Sequence, residues 1–430
     1  MKSTFQFSFF AVLLVALFST GCEKDKCTRT EEYIAYEPVY KRIDEMRMPA
    51  KYVSAKSLTN PGKIFYYKGY LLINEMHQGI HVIDNSNPEA PVNLGFIEVP
   101  GNLDMAVNQD ILYVDSYLDL VAIDITNPQA PAEVSRSTDV FQSFYSFDDQ
   151  LGYLVEYVPT EVRRTIDCND FNWGRPVFWE GDMMLAESGA FDASIGGDRF
   201  TGNSSISSSV VAGGSMARFT VANQYLYAID GSEIKIFDVA QTTPSLKNEV
   251  TVTWGIETLF PMAGSLFIGS TSGMIIYDIT NPEAPQYLST FSHATACDPV
   301  IVSGNTAYVT LRDGTECQGF INQLDVVNVS TLTNPTLIRS YPMDNPHGLS
   351  VIDETLYLCE GAFGLKTFDV SNPNQISQNL LDVATGFFAY DVIVLPPGNH
   401  VMVVGKDGLY QFDATDRSDL KQLSVISIGL

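Results

Sequence analysis

The chain has 430 residues, 45% of them hydrophobic, and its 51 acidic against 25 basic side chains give a net charge of −26. This length is large for one ordinary domain but normal for one closed array of repeats. The negative charge and the lack of a basic run exclude nucleic acid and anionic lipid headgroups as partners, and leave neutral or cationic ligands open.

The N-terminus predicts an export signal over residues 1–21. Lys2 supplies a positive charge, and the apolar run at residues 7–18 is too short to span a bilayer. Small residues at 19–21 directly precede Cys22, an order that resembles a bacterial lipobox. The resemblance implies a lipidated Cys22 and a protein on the outer membrane or cell surface of a Gram-negative bacterium, attached to the membrane only through its lipid.

The next segment predicts a tether and a closing strand. Residues 22–50 begin with alternating acidic and basic residues, and residues 33–40 (YIAYEPVY) are strand-like. Closed arrays of sheets commonly combine N- and C-terminal strands in one sheet, which removes a free edge. We therefore expect residues 33–40 or 52–58 to join the last repeat.

A phrase recurs through residues 51–430. Residues 82–91 read VIDNSNPEAP, residues 122–131 read AIDITNPQAP and residues 276–285 read IYDITNPEAP. The Asp, or once Asn, of each full or weaker copy is Asp84, Asp124, Asp167, Asp238, Asp278, Asn328, Asp369 and Asp413. Five of the seven gaps between them are 40–44 residues, so the chain is built from repeats of one length.

Each repeat contains three apolar or β-branched runs of four to six residues and a more polar fourth segment, separated by turn residues. This pattern predicts an all-β chain folded as a single β-propeller of about 40 residues per blade. Eight blades follow from the eight anchors; seven is the alternative, because the copy at Asp167 lacks the Asn-Pro. Asp and Asn in the phrase are expected to cap turns, since the pattern of a Ca²⁺ loop is missing.

One long gap contains an insertion at residues 169–216. It carries Trp173 and Trp179 and then a stretch rich in Gly and Ser at residues 196–215. Aromatic side chains beside such a stretch bind carbohydrate or a protein partner in one interpretation, and hold the insertion onto its scaffold in the other.

Titratable residues recur where the innermost strand of each blade should begin. Counting back 20–22 residues from the anchors, or 30 where a hairpin is longer, gives Asp104, Glu257, Asp298, His347 and Asp391. The neighbouring hairpins add His77, Asp115, Tyr117, Arg312 and Glu360. One interpretation is a polar, mainly anionic funnel for a cation, a sugar or a cationic group; the other is that each Asp caps a loop through backbone amides.

The cysteines beyond Cys22 are Cys27, Cys168, Cys297, Cys317 and Cys359. An exported chain allows disulfides, and the spacing leaves two open, Cys317–Cys359 or Cys297–Cys317. The Cys and His residues are too scattered to predict a metal site, and nothing in the sequence predicts a cofactor.

The repeats resemble the LVIVD-repeat proteins, with HVID at residues 81–84 and VAID at residues 121–124 in the place of that motif. The resemblance implies an exported propeller and transfers no catalytic residue. The chain also lacks a GxSxG, HExxH or GxxxxGK[ST] motif. We therefore predict a non-catalytic binding or scaffold propeller for a protein or glycan ligand, and keep as the alternative an extracellular carbohydrate-active hydrolase or lyase that uses axial carboxylates.

Overall fold

A computed structural model describes residues 28–167, 217–292, 299–312 and 321–429. The chain divides into two compact units, one of residues 1–39 and 156–196 and the other of residues 40–155 and 197–430. The described residues form strands almost throughout, so the predicted all-β class is confirmed. Among them, no helix is long and apolar enough to span a bilayer.

The larger unit contains seven antiparallel sheets, each with four strands in chain order, and the first of them has β2 (Lys51–Val53) as a fifth strand at its edge. Sheet 1 has β3 (Pro61–Tyr67), β4 (Tyr70–Glu75), β5 (Gly79–Asp84) and β6 (Val92–Glu98), and sheet 2 has β7 (Met105–Asn108), β8 (Ile111–Ser116), β9 (Asp119–Asp124) and β10 (Ala132–Ser137). Sheet 3 has β13 (Phe219–Ala222), β14 (Tyr225–Asp230), β15 (Glu233–Asp238) and β16 (Ser245–Thr251), and sheet 4 has β17 (Ile256–Met262), β18 (Ser265–Ser270), β19 (Gly273–Asp278) and β20 (Gln286–Ser292). Sheet 5 has β21 (Val300–Ser303), β22 (Thr306–Leu311), β23 (Gln323–Asn328) and β24 (Thr336–Pro342), and sheet 6 has β25 (Leu349–Ile352), β26 (Thr355–Cys359), β27 (Leu365–Asp369) and β28 (Leu380–Ala384). Sheet 7 has β29 (Ala389–Leu395), β30 (His400–Gly405), β31 (Gly408–Asp413) and β32 (Lys421–Ser427).

The remaining elements precede or interrupt this series. They are β1 (Thr28–Lys41), the short helix α1 (Ile43–Met46), β2 (Lys51–Val53), β11 (Phe147–Asp148), β12 (Gly152–Asp167) and a 3-10 turn (Ile376–Gln378). Strands β1, β12 and β11 form a three-stranded sheet. The anchor Asp167 therefore ends a 16-residue strand of that sheet and not the third strand of a repeat, so eight blades are not confirmed. The described residues give seven four-stranded repeats, the number kept as the alternative.

Seven hydrophobic clusters join the sheets in a closed series. Each cluster packs buried residues of one sheet against those of the next; the first, for example, contains Val82 of sheet 1 and Val114 of sheet 2. The cluster that contains Ile64 and Ile73 of sheet 1 also contains Ile393 and Met402 of sheet 7, so the first sheet packs against the last. Face-to-face packing of successive four-stranded sheets is the arrangement of a β-propeller.

The two segments considered for closure differ in where they lie. Residues 33–40 lie in β1 and pair with β12, and β2 pairs with β6 of sheet 1. Leu58 reaches the end of the chain through an isolated parallel bridge to Ile428, and its carbonyl accepts a hydrogen bond from the amide of Gly429 at 2.8 Å. Residues 33–40 therefore do not join the last sheet, whereas residue 58 of the segment 52–58 contacts its end, and sheet 7 takes its four strands from contiguous sequence. Side-chain packing between sheets 1 and 7, which includes Leu58, closes the series.

The recurring Asp caps a turn in every sheet, as predicted. The side chain of each anchor accepts a hydrogen bond of 2.7–2.9 Å from the amide two residues later. The amides belong to Ser86, Thr126, Ala240, Thr280, Ser330, Ser371 and Thr415. This is an Asx turn, in which a side chain takes the place of a backbone acceptor. The phrase is therefore explained by turn chemistry.

Two buried tyrosines, one on sheet 5 and one on sheet 6, give a stability test of this core. The hydroxyl of Tyr357 is buried without a hydrogen-bond partner, whereas that of Tyr341 donates to the carbonyl of Pro373 at 2.7 Å. A buried hydroxyl without a partner is destabilising. Tyr357→Phe is expected to raise the free energy of unfolding by about 1 kcal/mol, and Tyr341→Phe to lower it by about 1 kcal/mol. Urea denaturation checks both; equal effects of the two changes would contradict the assignment.

Candidate functional site

The innermost strands of the seven sheets begin at one end of the larger unit, which we call the mouth. Hydrogen bonds and strand pairing identify an equivalent residue at the start of each innermost strand, opposite the fifth residue of the second strand. The seven residues at this axial position are Lys63, Asp104, Arg218, Thr258, Pro299, Gly348 and Asp391. Two acidic residues therefore share the position with two basic ones.

The predicted ring of five titratable residues agrees with the strand register at two positions and differs from it by one residue at two others. Asp104 and Asp391 lie at the axial position, but Glu257 and His347 each lie one residue before it. The pairing shifts between Ile256 and Thr258, so that Glu257 is the extra residue of a bulge. A bulge adds one residue to one strand of a pair, so a count of residues along the chain does not fix which residue lies at the equivalent position. Asp298 lies outside the described residues.

Asp104 is held in a buried ion pair. Its Oδ1 lies 2.7 Å from Lys63 Nζ, and both side chains are 0% exposed. Its Oδ2 accepts hydrogen bonds from the amides of Arg218 and Phe219, each at 2.9 Å. Lys63 also donates to the carbonyl of Phe219 at 3.0 Å, and burial lowers the pKa of its ammonium group to about 8. These contacts tie sheets 1, 2 and 3 together, which is the capping role considered for the axial Asp.

Asp115 extends this cluster. Its Oδ1 accepts hydrogen bonds from the amides of Leu103 and Asp104 at 2.8 and 2.9 Å and from the side chain of Asn102 at 2.8 Å. Burial raises the pKa of the Asp115 carboxyl to about 6, and the two amides offset part of this rise. Asp115 thus fixes the connection that leads into β7.

His347 and Arg312 meet beside sheet 6. The Arg312 guanidinium contacts both ring nitrogens of His347, one of them at 2.9 Å. The rings of Phe388 and Tyr390 meet the imidazole edge-on at 5.6 and 5.7 Å. Burial, and then the charge of Arg312, lower the pKa of His347 to about 2, so the imidazole is neutral at physiological pH. Of the predicted site residues, these two are brought together.

The Asp391 carboxyl is buried, and few contacts offset the cost of removing it from water. It is 1% exposed, and neither carboxylate oxygen accepts a hydrogen bond of ordinary geometry. A Cβ atom on Gly348, the axial residue of sheet 6, would lie 1.9 Å from its Oδ1, so the carboxyl packs directly against that backbone. Burial raises the pKa of Asp391 to about 8, and the nearby amide of Val392 offsets only part of the rise. The group is therefore largely neutral at pH 7.

Glu360 and Cys359 end the second strand of sheet 6. Glu360 Oε2 accepts hydrogen bonds from the amides of Asp344 and Asn345, both at 2.8 Å, which fixes the connection into β25. Burial raises the pKa of Glu360. Cys359 is a free and fully buried thiol, so the predicted Cys317–Cys359 disulfide is not formed. Cys317 and Cys297 lie outside the described residues.

Three exposed aromatic side chains at the mouth were not predicted from the sequence. Trp254, in the connection from sheet 3 to sheet 4, is 82% exposed. Phe363, in the second hairpin of sheet 6, and Phe144, in the connection after sheet 2, are also exposed. Glu257, half-buried, lies three residues from Trp254. Exposed aromatic rings of this size are typical of binding surfaces, and only their position on connections at one end distinguishes them in the sequence.

Other predicted features lie outside the described residues, namely Cys22 and the insertion at 169–216 with Trp173 and Trp179. In the described ranges, no group of three or more His, Cys, Asp or Glu side chains is placed to hold a metal ion.

Comparisons with known proteins agree with this architecture. The chain is similar to a periplasmic gluconolactonase from Pseudomonas aeruginosa, with 12% identity, 84% of this chain and 96% of that chain covered and a TM-score of 0.54. It is also similar to a protein from Lactobacillus plantarum, with 12% identity, coverage of 88% and 96% and a TM-score of 0.53. No curated protein matches the sequence. At these identities the likeness concerns the fold alone, and it places the chain in the β-propeller class.

The model of the LVIVD repeat matches residues 103–139 and 295–342. These ranges contain all the strands of sheets 2 and 5. The chain therefore carries LVIVD repeats, and the resemblance predicted from the sequence is confirmed.

Proposed function

We propose that the protein is a seven-bladed propeller, exported and attached to the cell envelope through a lipid on Cys22, that binds a glycan at its mouth without catalysing a reaction. The seven four-stranded sheets and the packing of sheet 1 on sheet 7 support the blade number. The apolar run before Cys22 supports the export and the anchor.

The burial of the acidic side chains at the mouth supports a binding function over a catalytic one. Asp104, Asp115, Glu360 and Asp391 are 0–5% exposed, and the first three accept backbone hydrogen bonds. A general acid or base must come within hydrogen-bond reach of the reacting group. These four carboxyls are enclosed by protein, so they stabilise the repeats and do not meet a substrate in this conformation.

The exposed aromatic side chains support a glycan as the ligand. Trp254 and Phe363 present apolar rings to solvent, and Glu257, three residues along the chain from Trp254, is a half-buried carboxylate. Sugar rings have apolar faces that pack on aromatic rings and hydroxyls that donate to carboxylates. A neutral glycan also meets no repulsion from a chain of net charge −26.

A glycan array with the soluble fragment of residues 23–430 tests the proposal. Trp254→Ala is expected to weaken binding of the retained glycans at least tenfold, because the stacking surface is removed, without lowering the melting temperature. Phe147→Ala, which removes an exposed aromatic ring from β11, is the matched control and should bind as the wild type. An array without a retained glycan, or equal binding by both variants, would overturn glycan binding at the mouth.

The second candidate is a carbohydrate-active hydrolase or lyase. The raised pKa values of Asp391 and Asp115 favour it, since a carboxyl that remains protonated near neutral pH can act as a general acid. Cleavage of an array-selected glycan by the wild type, lost in Asp391→Asn, would establish this function in place of simple binding.

A further inference from the structure

The outer groove between sheets 1 and 2 is filled by the chain's own segment of residues 47–53. Strand β2 of this segment pairs with β6, with Tyr52 opposite Ile97. Ala50 donates its amide to Glu133 of β10 at 2.7 Å, and Ala50 and Tyr52 pack on the hydrophobic cluster between the two sheets. An extended segment therefore adds a strand to one edge and is held by the opposite wall.

Charge complementarity accompanies this docking. Arg47 forms an ion pair with the buried Asp119 of sheet 2 at 3.1 Å. Lys56, just after the segment, pairs with Glu98 of sheet 1 at 2.9 Å. The docked segment is basic and the walls of its groove are acidic. This contact within the chain therefore indicates what kind of segment such a groove binds.

In sheets 3 to 6, the position equivalent to Glu133 carries an apolar or aromatic side chain that is exposed to solvent. In sheet 2, Glu133 of the fourth strand pairs with Ile123 of the third strand. The fourth-strand residues at the equivalent position of sheets 3 to 6 are 47–59% exposed. They are Leu246, Tyr287, Leu337 and Leu380, opposite Phe237, Tyr277, Val327 and Phe368. Each of these partners belongs to the cluster that joins its sheet to the preceding one. The four exposed side chains therefore lie at four outer grooves between consecutive sheets.

Each of these grooves also has a free strand edge. In the described part of the chain, no further strand pairs with the outer edges of β10, β16, β20 and β24, which correspond to the edge of β6 that β2 covers. An unpaired edge with its row of amides and carbonyls accepts an added strand. Glu249 and Glu283 lie at the groove between sheets 3 and 4 and form ion pairs with Lys235 and Lys247, at 3.0 and 3.9 Å, yet their side chains remain 46% and 49% exposed.

We propose that four outer grooves, those between sheets 2 and 3, 3 and 4, 4 and 5, and 5 and 6, bind an extended, basic and apolar segment of a partner protein. The segment would add a strand there, as residues 47–53 do in the groove between sheets 1 and 2. The apolar side chain at the register position packs under the added strand, and acidic side chains at the rim bind its Lys or Arg residues. This surface is separate from the mouth and does not depend on glycan binding there.

A labelled peptide of residues 46–57, MRMPAKYVSAKS, is the probe, since the chain's own copy already fills the groove between sheets 1 and 2. Fluorescence anisotropy is expected to give saturable binding to the fragment 23–430 that weakens with added salt. The variant Leu246→Asn, Tyr287→Asn, Leu337→Asn and Leu380→Asn should bind at least tenfold more weakly. The control variant Val92→Asn and Val425→Asn changes exposed valines on the outer strands of sheets 1 and 7 and should bind as the wild type.

Hydrogen exchange provides a second readout that does not depend on the variants. Bound peptide is expected to slow exchange at the outer strands of sheets 2 to 5 (β10, β16, β20 and β24). Absence of saturable binding would overturn the proposal, as would equal affinity of the four-site variant, which would place the peptide elsewhere. Concentration-dependent dimers that the four-site variant abolishes, without peptide binding, would assign the surface to a second copy of the chain.

Discussion

Replacing Lys63 by Met is expected to lower the free energy of unfolding by about 3–5 kcal/mol, because it leaves the buried carboxylate of Asp104 without its cation. The ion pair is fully buried, and Lys63 also binds the carbonyl of Phe219 in sheet 3. The change therefore weakens the junction of three sheets at once. Urea denaturation of the fragment 23–430 measures the loss.

Two variants make this prediction specific. In Lys63→Met with Asp104→Asn no buried charge lacks a partner, and an Asn oxygen can still accept from the amides of Arg218 and Phe219. The double variant should recover most of the lost stability. Lys68→Met breaks the exposed pair with Asp110 and should leave the unfolding midpoint unchanged within error. A double variant as unstable as Lys63→Met would contradict the ion-pair explanation.

Asp391→Asn is expected to stabilise the protein at neutral pH. The pKa of Asp391 is raised by burial to about 8, so the folded state retains a proton that the unfolded state has already released above pH 4. Stability of the wild type therefore falls as the pH rises from about 4 to about 8 and is not affected further by this group at higher pH. Asn has no charge to bury, and the variant should gain about 2–4 kcal/mol at pH 7, since one pKa unit corresponds to about 1.4 kcal/mol.

Urea denaturation of both proteins at pH 4.5, 6, 7 and 8.5 measures this effect. The difference between variant and wild type should be small at pH 4.5, grow through pH 7 and level off near pH 8. A difference that does not change with pH would mean that Asp391 is not neutral in the folded state. Residues that are unfavourable for stability are often retained for function, so the glycan array should include Asp391→Asn.

Much of the fold could be predicted because the repeat depends on residues that lie close together in the sequence. The Asp at the end of each third strand, the following Ser or Thr and the Asn-Pro set a turn whose hydrogen bonds lie within two residues. The copy at Asp167 lacks that context, and its strand pairs with β1. Where the local signal was complete, the predicted repeat is present; where it was incomplete, a partner from elsewhere in the chain decided the pairing.

The sequence predicted that acidic residues would lie at the start of innermost strands, but it did not predict which side chains would contact them. Asp104 and Asp391 occupy equivalent axial positions, as predicted, yet one is fully paired and the other has no partner. The difference arises from their neighbours: Lys63 reaches Asp104 from sheet 1, whereas Gly348 offers Asp391 only backbone. Glu257 and His347 each lie one residue before that position, Glu257 because a bulge adds a residue to its strand.

The sequence by itself therefore determined the all-β class, the repeat, the turn chemistry and the LVIVD resemblance, since each depends on residues within about 40 positions of one another. Only the tertiary structure decided the pairing of β1 with β12, the packing of sheet 1 on sheet 7 and the burial of the acidic residues at the mouth. These features join residues far apart in the chain. Their energies depend on which side chains meet in the absence of water, and that is set by the packing of whole sheets.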